Sequence, residues 1–73
     1  MTEAEAHQSA LLQWLPSMTW LRPSEIYRRF GLPRGITYRQ VDGDLRALVK
    51  TGKAEREQWD GWRWHYRAVA STP

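Results

Sequence analysis

The feature that most limits the folds open to this chain is its lack of cysteine at a length of only 73 residues. A domain this small buries about 60% of the surface that its unfolded chain exposes, so its stability is marginal. Disulfides and cysteine-based zinc sites, which often stabilise small domains, are excluded. We therefore expect a single domain over residues 1–69, stabilised by the bulk of five Trp, three Tyr and one Phe. Residues 70–73 are expected to form a loose tail.

Several classes of protein find no support in the sequence. No run approaches the roughly 20 apolar residues that cross a bilayer. The first residues include Glu3 and Glu5, whereas a secretory signal starts with basic residues and continues with an apolar run. The two histidines, His7 and His65, are far apart, and there is no phosphate loop or Ser/His/Asp arrangement. We expect a cytoplasmic protein that is not an enzyme and has no cofactor, metal ion or membrane partner.

The first half of the chain predicts two helices. Thr2 and Glu5 form a capping box, which places the first helix over residues 3–15. The second helix is expected over residues 23–30, because a proline suits its first position and Gly31 suits a C-terminal cap. Apolar residues at helical spacing give the first helix one buried stripe: Ala4, Leu11, Trp14 and Leu15.

The third predicted helix has the clearest pattern. A second capping box, formed by Thr37 and Gln40, starts it, and Gly52 closes it after Thr51. Apolar residues at positions i, i+4, i+7 and i+8 predict its buried face: Val41, Leu45, Leu48 and Val49.

The C-terminal part predicts a β-hairpin. Asp60-Gly61 favours a two-residue type I′ turn, which would pair Trp59 with Trp62. An additional short extended stretch is expected over residues 19–22. With that turn, alternation predicts an aromatic face of Trp59, Trp62, Trp64 and Tyr66, and a mainly basic face of Arg56, Gln58, Arg63, His65 and Arg67. Core positions are expected for Trp14, Trp20, Trp64 and Tyr66, whereas His65 is expected to be an ordinary polar residue of its face.

This order of elements resembles the winged helix-turn-helix family of DNA-binding domains. Residues 21–32 (LRPSEIYRRFGL) are similar to the first helix and turn of that motif. Residues 36–52 (ITYRQVDGDLRALVKTG) are similar to its recognition helix, including the glycine that leads into the wing. The resemblance covers nearly the whole chain. It implies an α+β winged helix-turn-helix fold: three helices, a short strand before the second helix, and a C-terminal hairpin wing.

The resemblance also implies that the helix from Thr37 to Thr51 enters the major groove of double-stranded DNA. The charge distribution is consistent with this, because eight basic and only three acidic residues lie between Arg22 and Lys53, within a net charge of +3. Residues at the N-terminal end of such a helix read bases, and cations farther along contact phosphates. The expected base readers are Tyr38, Arg39, Gln40 and Gly43, and the expected phosphate contacts are Arg28, Arg34, Arg46, Lys50 and Arg63.

Some of these positions have a second interpretation. Gly43 would let the helix approach the groove closely, but packing against the rest of the protein, or simple tolerance, would also explain it. Asp42 and Asp44 would repel phosphate, although Asp42 could pair with Arg46. Trp59 and Trp62 could stabilise the hairpin, stack on bases or form a protein-binding patch.

The expected function is that of a sequence-specific double-stranded DNA-binding protein, such as a small phage, plasmid or prokaryotic transcriptional regulator. The alternative is a winged-helix module that binds another protein, for example a phage protein that binds a host complex through the hairpin tip. The first helix could also contribute to a homodimer.

Overall fold

The computed structural model describes residues 2–69 and has an α+β fold, in which three helices precede a two-stranded antiparallel hairpin. The predicted tail at residues 70–73 lies outside the described residues. No helix within residues 2–69 has both the length and the apolar character needed to cross a membrane. In chain order the elements are α1 (Glu3–Trp14), α2 (Pro23–Ile26), a π-helical turn (Tyr27–Gly31), a 3₁₀ turn (Leu32–Arg34), α3 (Tyr38–Lys50), β1 (Ala54–Trp59) and β2 (Arg63–Ala68).

Local hydrogen bonds explain where α1 and α3 begin. The Thr2 hydroxyl oxygen accepts from the Glu5 backbone N–H at 3.1 Å. At α3 both halves of the predicted capping box are present. The Thr37 hydroxyl oxygen accepts from the Gln40 N–H at 3.2 Å, and the Gln40 side-chain oxygen accepts from the Thr37 N–H at 3.0 Å. Both predicted helix starts are confirmed.

The predicted closure of α3 is also confirmed. Gly52 has a φ of +78°, the left-handed conformation that glycine adopts at little cost. The Lys53 N–H donates to the Leu48 carbonyl at 2.9 Å, and the Gly52 N–H donates to the Val49 carbonyl at 3.1 Å. These two bonds form a Schellman motif, which satisfies two of the last carbonyls of the helix.

The predicted end of the second helix is wrong. Gly31 has a helical φ of −76°, and the backbone continues to wind to Arg34 before Gly35 takes the left-handed conformation with a φ of +69°. Gly31 has a packing role instead. A Cβ atom at this position would lie 2.8 Å from Cγ2 of Val41 and 3.1 Å from Cδ1 of Tyr27, so only glycine lets the π-helical turn approach α3 this closely.

The core lies where the three helices meet the inner face of the hairpin. Leu11 in α1 and Val41 and Leu45 in α3 are completely buried, which confirms the predicted stripes at these positions. Ala4 is exposed, because the first turn of α1 extends past the core. Trp14 and Val49 are partly buried against a core that consists of Leu11, Leu15, Leu21, Ile26, Phe30, Ile36, Val41, Leu45, Leu48, Ala54, Tyr66 and Ala68.

The predicted register of the hairpin is wrong by one residue. Asp60 and Gly61 have the expected positive φ angles of 55° and 78°, and the Trp62 N–H donates to the Trp59 carbonyl at 3.2 Å. Trp62 nevertheless lies outside the ladder, and Trp59 is opposite Arg63. The loop therefore has three residues, and a shift of one residue moves side chains to the opposite face.

This shift changes the composition of both faces. Trp59 leaves the expected aromatic face and stacks on His65 with ring centroids 3.8 Å apart, so that His65 is only 7% exposed. Trp64 is 37% exposed and is not a core residue. The inner face carries Ala54, Arg56, Gln58, Trp64, Tyr66 and Ala68, and the outer face carries Glu55, Glu57, Trp59, Arg63, His65 and Arg67. Arg56 is thus separated from the other two arginines of its predicted face.

The extended stretch before α2 is confirmed at one residue. Leu21 and Tyr66 exchange two backbone hydrogen bonds of 2.9 and 2.8 Å, so Leu21 pairs with the free edge of β2. Trp20 is only partly buried, and the Arg67 guanidinium lies 4.3 Å from its ring centroid. The expectation that Trp20 belongs to the core is therefore wrong.

The close contact at Gly31 gives a testable prediction about stability. Gly31→Ala should lower the free energy of unfolding by about 1–3 kcal/mol, because the added methyl group overpacks against Val41. Urea denaturation followed by circular dichroism measures the change. Gly43→Ala is the matched control, since no other part of residues 2–69 lies within 4 Å of its added methyl group. Equal midpoints for Gly31→Ala and the wild type would contradict the assigned packing role.

Candidate nucleic-acid interface

The outward face of α3 carries a row of three cations and one glycine. Arg39, Gly43, Arg46 and Lys50 are all exposed, and their spacing places them on the side of the helix opposite buried Val41 and Leu45. Within residues 2–69, Arg39 and Lys50 take part in no ion pair. We call these four residues the outward stripe.

Gly43 lies in the middle of the outward stripe and has open space around it. A Cβ atom at this position would have nothing within 4 Å in the described part of the chain, apart from its own helix backbone. Close packing against another part of residues 2–69 therefore does not explain this glycine. Close approach of a ligand and simple tolerance remain as the two explanations.

Tyr38 and Gln40, the other two expected base readers, have different environments in the first turn of α3. Tyr38 is 47% exposed, and its ring meets that of Tyr27 edge-on with centroids 5.8 Å apart. Gln40 is exposed, but its side-chain oxygen is held by the capping box. A bidentate contact with adenine needs both the oxygen and the nitrogen of an amide. Gln40 can therefore offer only its N–H groups while the cap is intact.

The two aspartates of α3 have different environments. The Asp42 carboxylate lies 3.2 Å from Nε of Arg46, which confirms the predicted pair. Asp44 is only 8% exposed and lines a cleft with Ala4 and His7 of α1. Gln40 and Gly43 of α3 line the same cleft, so Asp44 is buried beside these two residues.

Burial also changes the acidity of Asp44. The loss of solvation raises the pKa of its carboxyl group above the ordinary value, while the charge of His7 and the side chain of Gln8 act in the opposite direction. The folded protein therefore disfavours the ionised form of this residue. Ionisation of Asp44 at neutral pH therefore destabilises the folded state relative to the unfolded state.

The remaining expected phosphate contacts fall into two groups. Arg28 is exposed on the π-helical turn. Arg63 is exposed beside the loop of the hairpin, and its guanidinium lies 4.5 Å from the Trp62 ring centroid. Arg34, in contrast, folds back on its own helical segment: it donates to the Phe30 carbonyl at 3.0 Å, and its guanidinium lies 4.2 Å from the Phe30 ring centroid. One N–H group of Arg34 thus stabilises the end of that segment, while the residue stays exposed.

A groove of about 340 Å³ lies between α3, the start of α2 and the inner face of the hairpin. Sequence reasoning missed it, because the predicted register placed Arg56 on the opposite face and Trp64 in the core. A signal was present, since only the observed register places Ala54 opposite Ala68 and on the same face as Tyr66. We call it the aromatic groove; its lining residues are Arg22, Pro23, Ser24, Tyr38, Asp42, Arg46, Arg56, Trp62, Arg63, Trp64 and Tyr66.

No protein-family model, curated protein or solved structure matches this chain. Within residues 2–69 no group of three or more His, Asp and Glu side chains is arranged to hold a metal ion.

The two candidate protein-contact residues do not form one patch. Trp62 is 65% exposed at the loop and lies over the aromatic groove. Trp59 belongs to the outer face, where it stacks on His65 and its ring nitrogen donates to Glu57 at 3.2 Å. Trp59 is still 41% exposed, so both indoles reach solvent, but only Trp62 lines the groove.

The burial of Asp44 predicts a pH-dependent effect on stability. Because the folded-state pKa is raised, the stabilising contribution of the protonated form is complete below about pH 3.9 and is lost as the pH rises through the folded-state pKa. Asp44→Asn, which stays neutral, should therefore be more stable than the wild type at pH 7, and this advantage should vanish at low pH. Thermal unfolding at several pH values measures the difference.

Asp42→Asn is the matched control for this experiment. Its exposed pair with Arg46 contributes at most a few tenths of a kcal/mol at neutral pH, so this variant should be slightly less stable or unchanged. An Asp44→Asn variant that is less stable than the wild type at pH 7 would show that the ionised carboxylate is stabilising, which would contradict the raised pKa of Asp44.

Proposed function

We propose that this chain is a winged helix-turn-helix protein that binds double-stranded DNA sequence-specifically, with α3 in the major groove and the hairpin as the wing. The observation that carries the proposal is the outward stripe. Arg39, Arg46 and Lys50 follow one exposed face of a helix whose opposite face is anchored in the core. The helix is thus held rigidly while its cationic side stays accessible.

The order of residues along the stripe assigns roles to its members. An α-helix fits the major groove of B-DNA, and an arginine there can make a bidentate contact with O6 and N7 of guanine. Arg39, in the first turn of α3, is placed to read a base in this way. Arg46 and Lys50 lie farther along and are suited to phosphates, with Arg28 and Arg63 as flanking cations. Gly43, between Arg39 and Arg46, lets the helix backbone approach the groove without a side chain in between.

In this proposal the protein acts by occupying DNA and not by catalysis. A small phage, plasmid or prokaryotic regulator of transcription in the cytoplasm is the role that fits such a binder. Docking to another protein through the hairpin tip has less support, because Trp59 and Trp62 lie in different surroundings and Trp59 is stacked on His65.

The proposal predicts different effects for the two ends of the outward stripe. Arg39→Ala should weaken binding to the preferred site by about 1–3 kcal/mol and relax the choice of base at one position. Lys50→Ala should weaken binding to all sequences alike. It should also reduce the slope of log affinity against log salt concentration by about one, because one phosphate contact is lost. Selection from random duplex DNA, followed by binding across a salt series, measures both effects.

Lys53→Ala provides the control for the loss of charge alone. Lys53 lies beyond the end of α3 in a surface cleft with Leu12 of α1 and with Leu15, the residue that follows α1, away from the outward stripe. Its removal should change affinity less than the removal of Lys50. Equal and salt-insensitive effects of Arg39→Ala, Lys50→Ala and Lys53→Ala, or no retention of any duplex at low salt, would refute the proposal.

Gly43 gives a prediction in which stability and affinity change in opposite directions. Gly43→Ala should raise the free energy of unfolding by about 0.5–1 kcal/mol, because alanine favours a helix interior and its methyl group meets open space. The same methyl group should lower the affinity for the selected duplex by holding the helix away from the base edges. Denaturation and a binding titration on one sample measure both. A stabilised variant with unchanged affinity would assign this glycine to simple tolerance.

A further inference from the structure

The aromatic groove has a composition that the proposed major-groove contact does not use. Three of its aromatic residues are exposed: Tyr38 comes from α3, and Trp62 and Trp64 come from the hairpin. Its volume of about 340 Å³ lies within the range of roughly 300–1,000 Å³ that is usual for small-molecule sites. Three exposed aromatic rings thus surround one concave surface, which makes this groove a candidate binding site.

The charge of the groove selects an anionic ligand. Its lining includes four arginines, Arg22, Arg46, Arg56 and Arg63, against a single carboxylate, Asp42. Asp42 is already paired with Arg46, at 3.2 Å. A cationic ligand would meet an excess of positive charge, whereas a phosphate would find partners.

A guanidinium group lies over one face of each of the two indoles. The Arg56 guanidinium lies 4.1 Å from the Trp64 ring centroid, and that of Arg63 lies 4.5 Å from the Trp62 ring centroid. Aromatic rings and guanidinium planes are the two kinds of side-chain surface on which unstacked bases are held. A nucleotide has both a flat ring and a phosphate. It therefore matches both the stacking surfaces and the positive charge of the groove.

The position of the groove determines which nucleotide can reach it. Tyr38 and Arg46 line the groove, and both belong to α3, whose outward stripe is proposed to contact the duplex. A base inside a duplex has both faces covered by its neighbours and cannot stack on a protein side chain. A base that is unpaired at an end or a bulge beside the bound duplex has a free face.

We propose that the aromatic groove binds one unpaired base of the nucleic acid, stacked on the indoles of Trp62 and Trp64, with its phosphate near Arg56. This inference rests on the proposed DNA-binding function and specifies its substrate: a duplex that carries an unpaired base next to the site occupied by α3. Stacking of one base on an aromatic side chain strengthens binding by about 5- to 150-fold.

The test compares two DNA molecules with the same duplex sequence, one blunt and one with a single unpaired 2-aminopurine at its end or at an internal bulge. The wild type should bind the unpaired form at least about fivefold more tightly, and the emission of 2-aminopurine should fall as it stacks. Trp62→Ala should abolish this preference and leave the affinity for the blunt duplex unchanged. Trp64→Leu, which keeps an apolar side chain over the core, should have the same effect.

Trp59→Leu is the matched control, because this tryptophan lies on the outer face of the same hairpin and does not line the groove. It should keep the preference for the unpaired base. Equal affinity of the wild type for both DNA molecules would overturn this inference and leave the proposed duplex binding intact. A preference that survives both Trp62→Ala and Trp64→Leu would also overturn it. No binding of either DNA at low salt would refute the proposed function, and this inference with it.

Discussion

The contact between Gly31 and Val41 sets how closely the π-helical turn approaches α3, and the candidate interface depends on α3. A Cβ atom at Gly31 would be 2.8 Å from Cγ2 of Val41, so the absence of a side chain sets the distance between the π-helical turn and α3. Val41 in turn belongs to the buried face that fixes the rotation of α3 about its axis. With that rotation fixed, the residues on the opposite side, Arg39 and Lys50 among them, face solvent. The cationic surface is thus a consequence of how the helix is anchored.

The register of the hairpin is the second determinant of the surface. Because Trp62 is left out of the ladder, Tyr66 is directed into the core, while Trp64 and Arg56 lie on the same face nearer the loop. The short pairing of Leu21 with Tyr66 holds the other edge of β2. The inner face therefore changes along its length from a buried, apolar part beside α1 to an exposed part that combines rings and guanidinium groups. The aromatic groove occupies that exposed part.

The features that could be predicted from the sequence are those determined within a few residues. The capping box at Thr37 and the left-handed Gly52 involve only neighbouring groups, and both were predictable. The role of Gly31 was not, because a glycine after a helical pattern resembles a cap until the approach of Val41 is known. The turn residues Asp60 and Gly61 fit a loop of two or three residues equally well, so the local signal did not decide the register.

The environment of Asp44 was beyond local reasoning for a related reason. The helical periodicity of α3 places this residue at the edge of the apolar stripe. Its burial depends on where α1 packs against that edge. Among the expected site residues, those on one helix face were predictable, whereas Arg34, whose contacts depend on the rest of the fold, was not. The outward stripe of Arg39, Gly43, Arg46 and Lys50 follows from periodicity and was predictable. The folding back of Arg34 on Phe30 depends on a segment that continues past its predicted end.

Two costs to stability lie on the same helix, and they have different explanations. The buried carboxylate of Asp44 disfavours its ionised form, but His7 and Gln8 lie near it and act in the opposite direction. Gly43 weakens the helix by about 1 kcal/mol relative to alanine, and within residues 2–69 no contact offsets this cost. In a domain of 73 residues with a small core, a loss of this size is a substantial fraction of the total stability. The cost at Asp44 is only partly offset inside the protein, because its pKa stays raised, whereas the cost at Gly43 is not offset within residues 2–69. Under the proposed function, close approach of DNA to the helix backbone between Arg39 and Arg46 offsets the cost at Gly43, whereas under simple tolerance nothing offsets it.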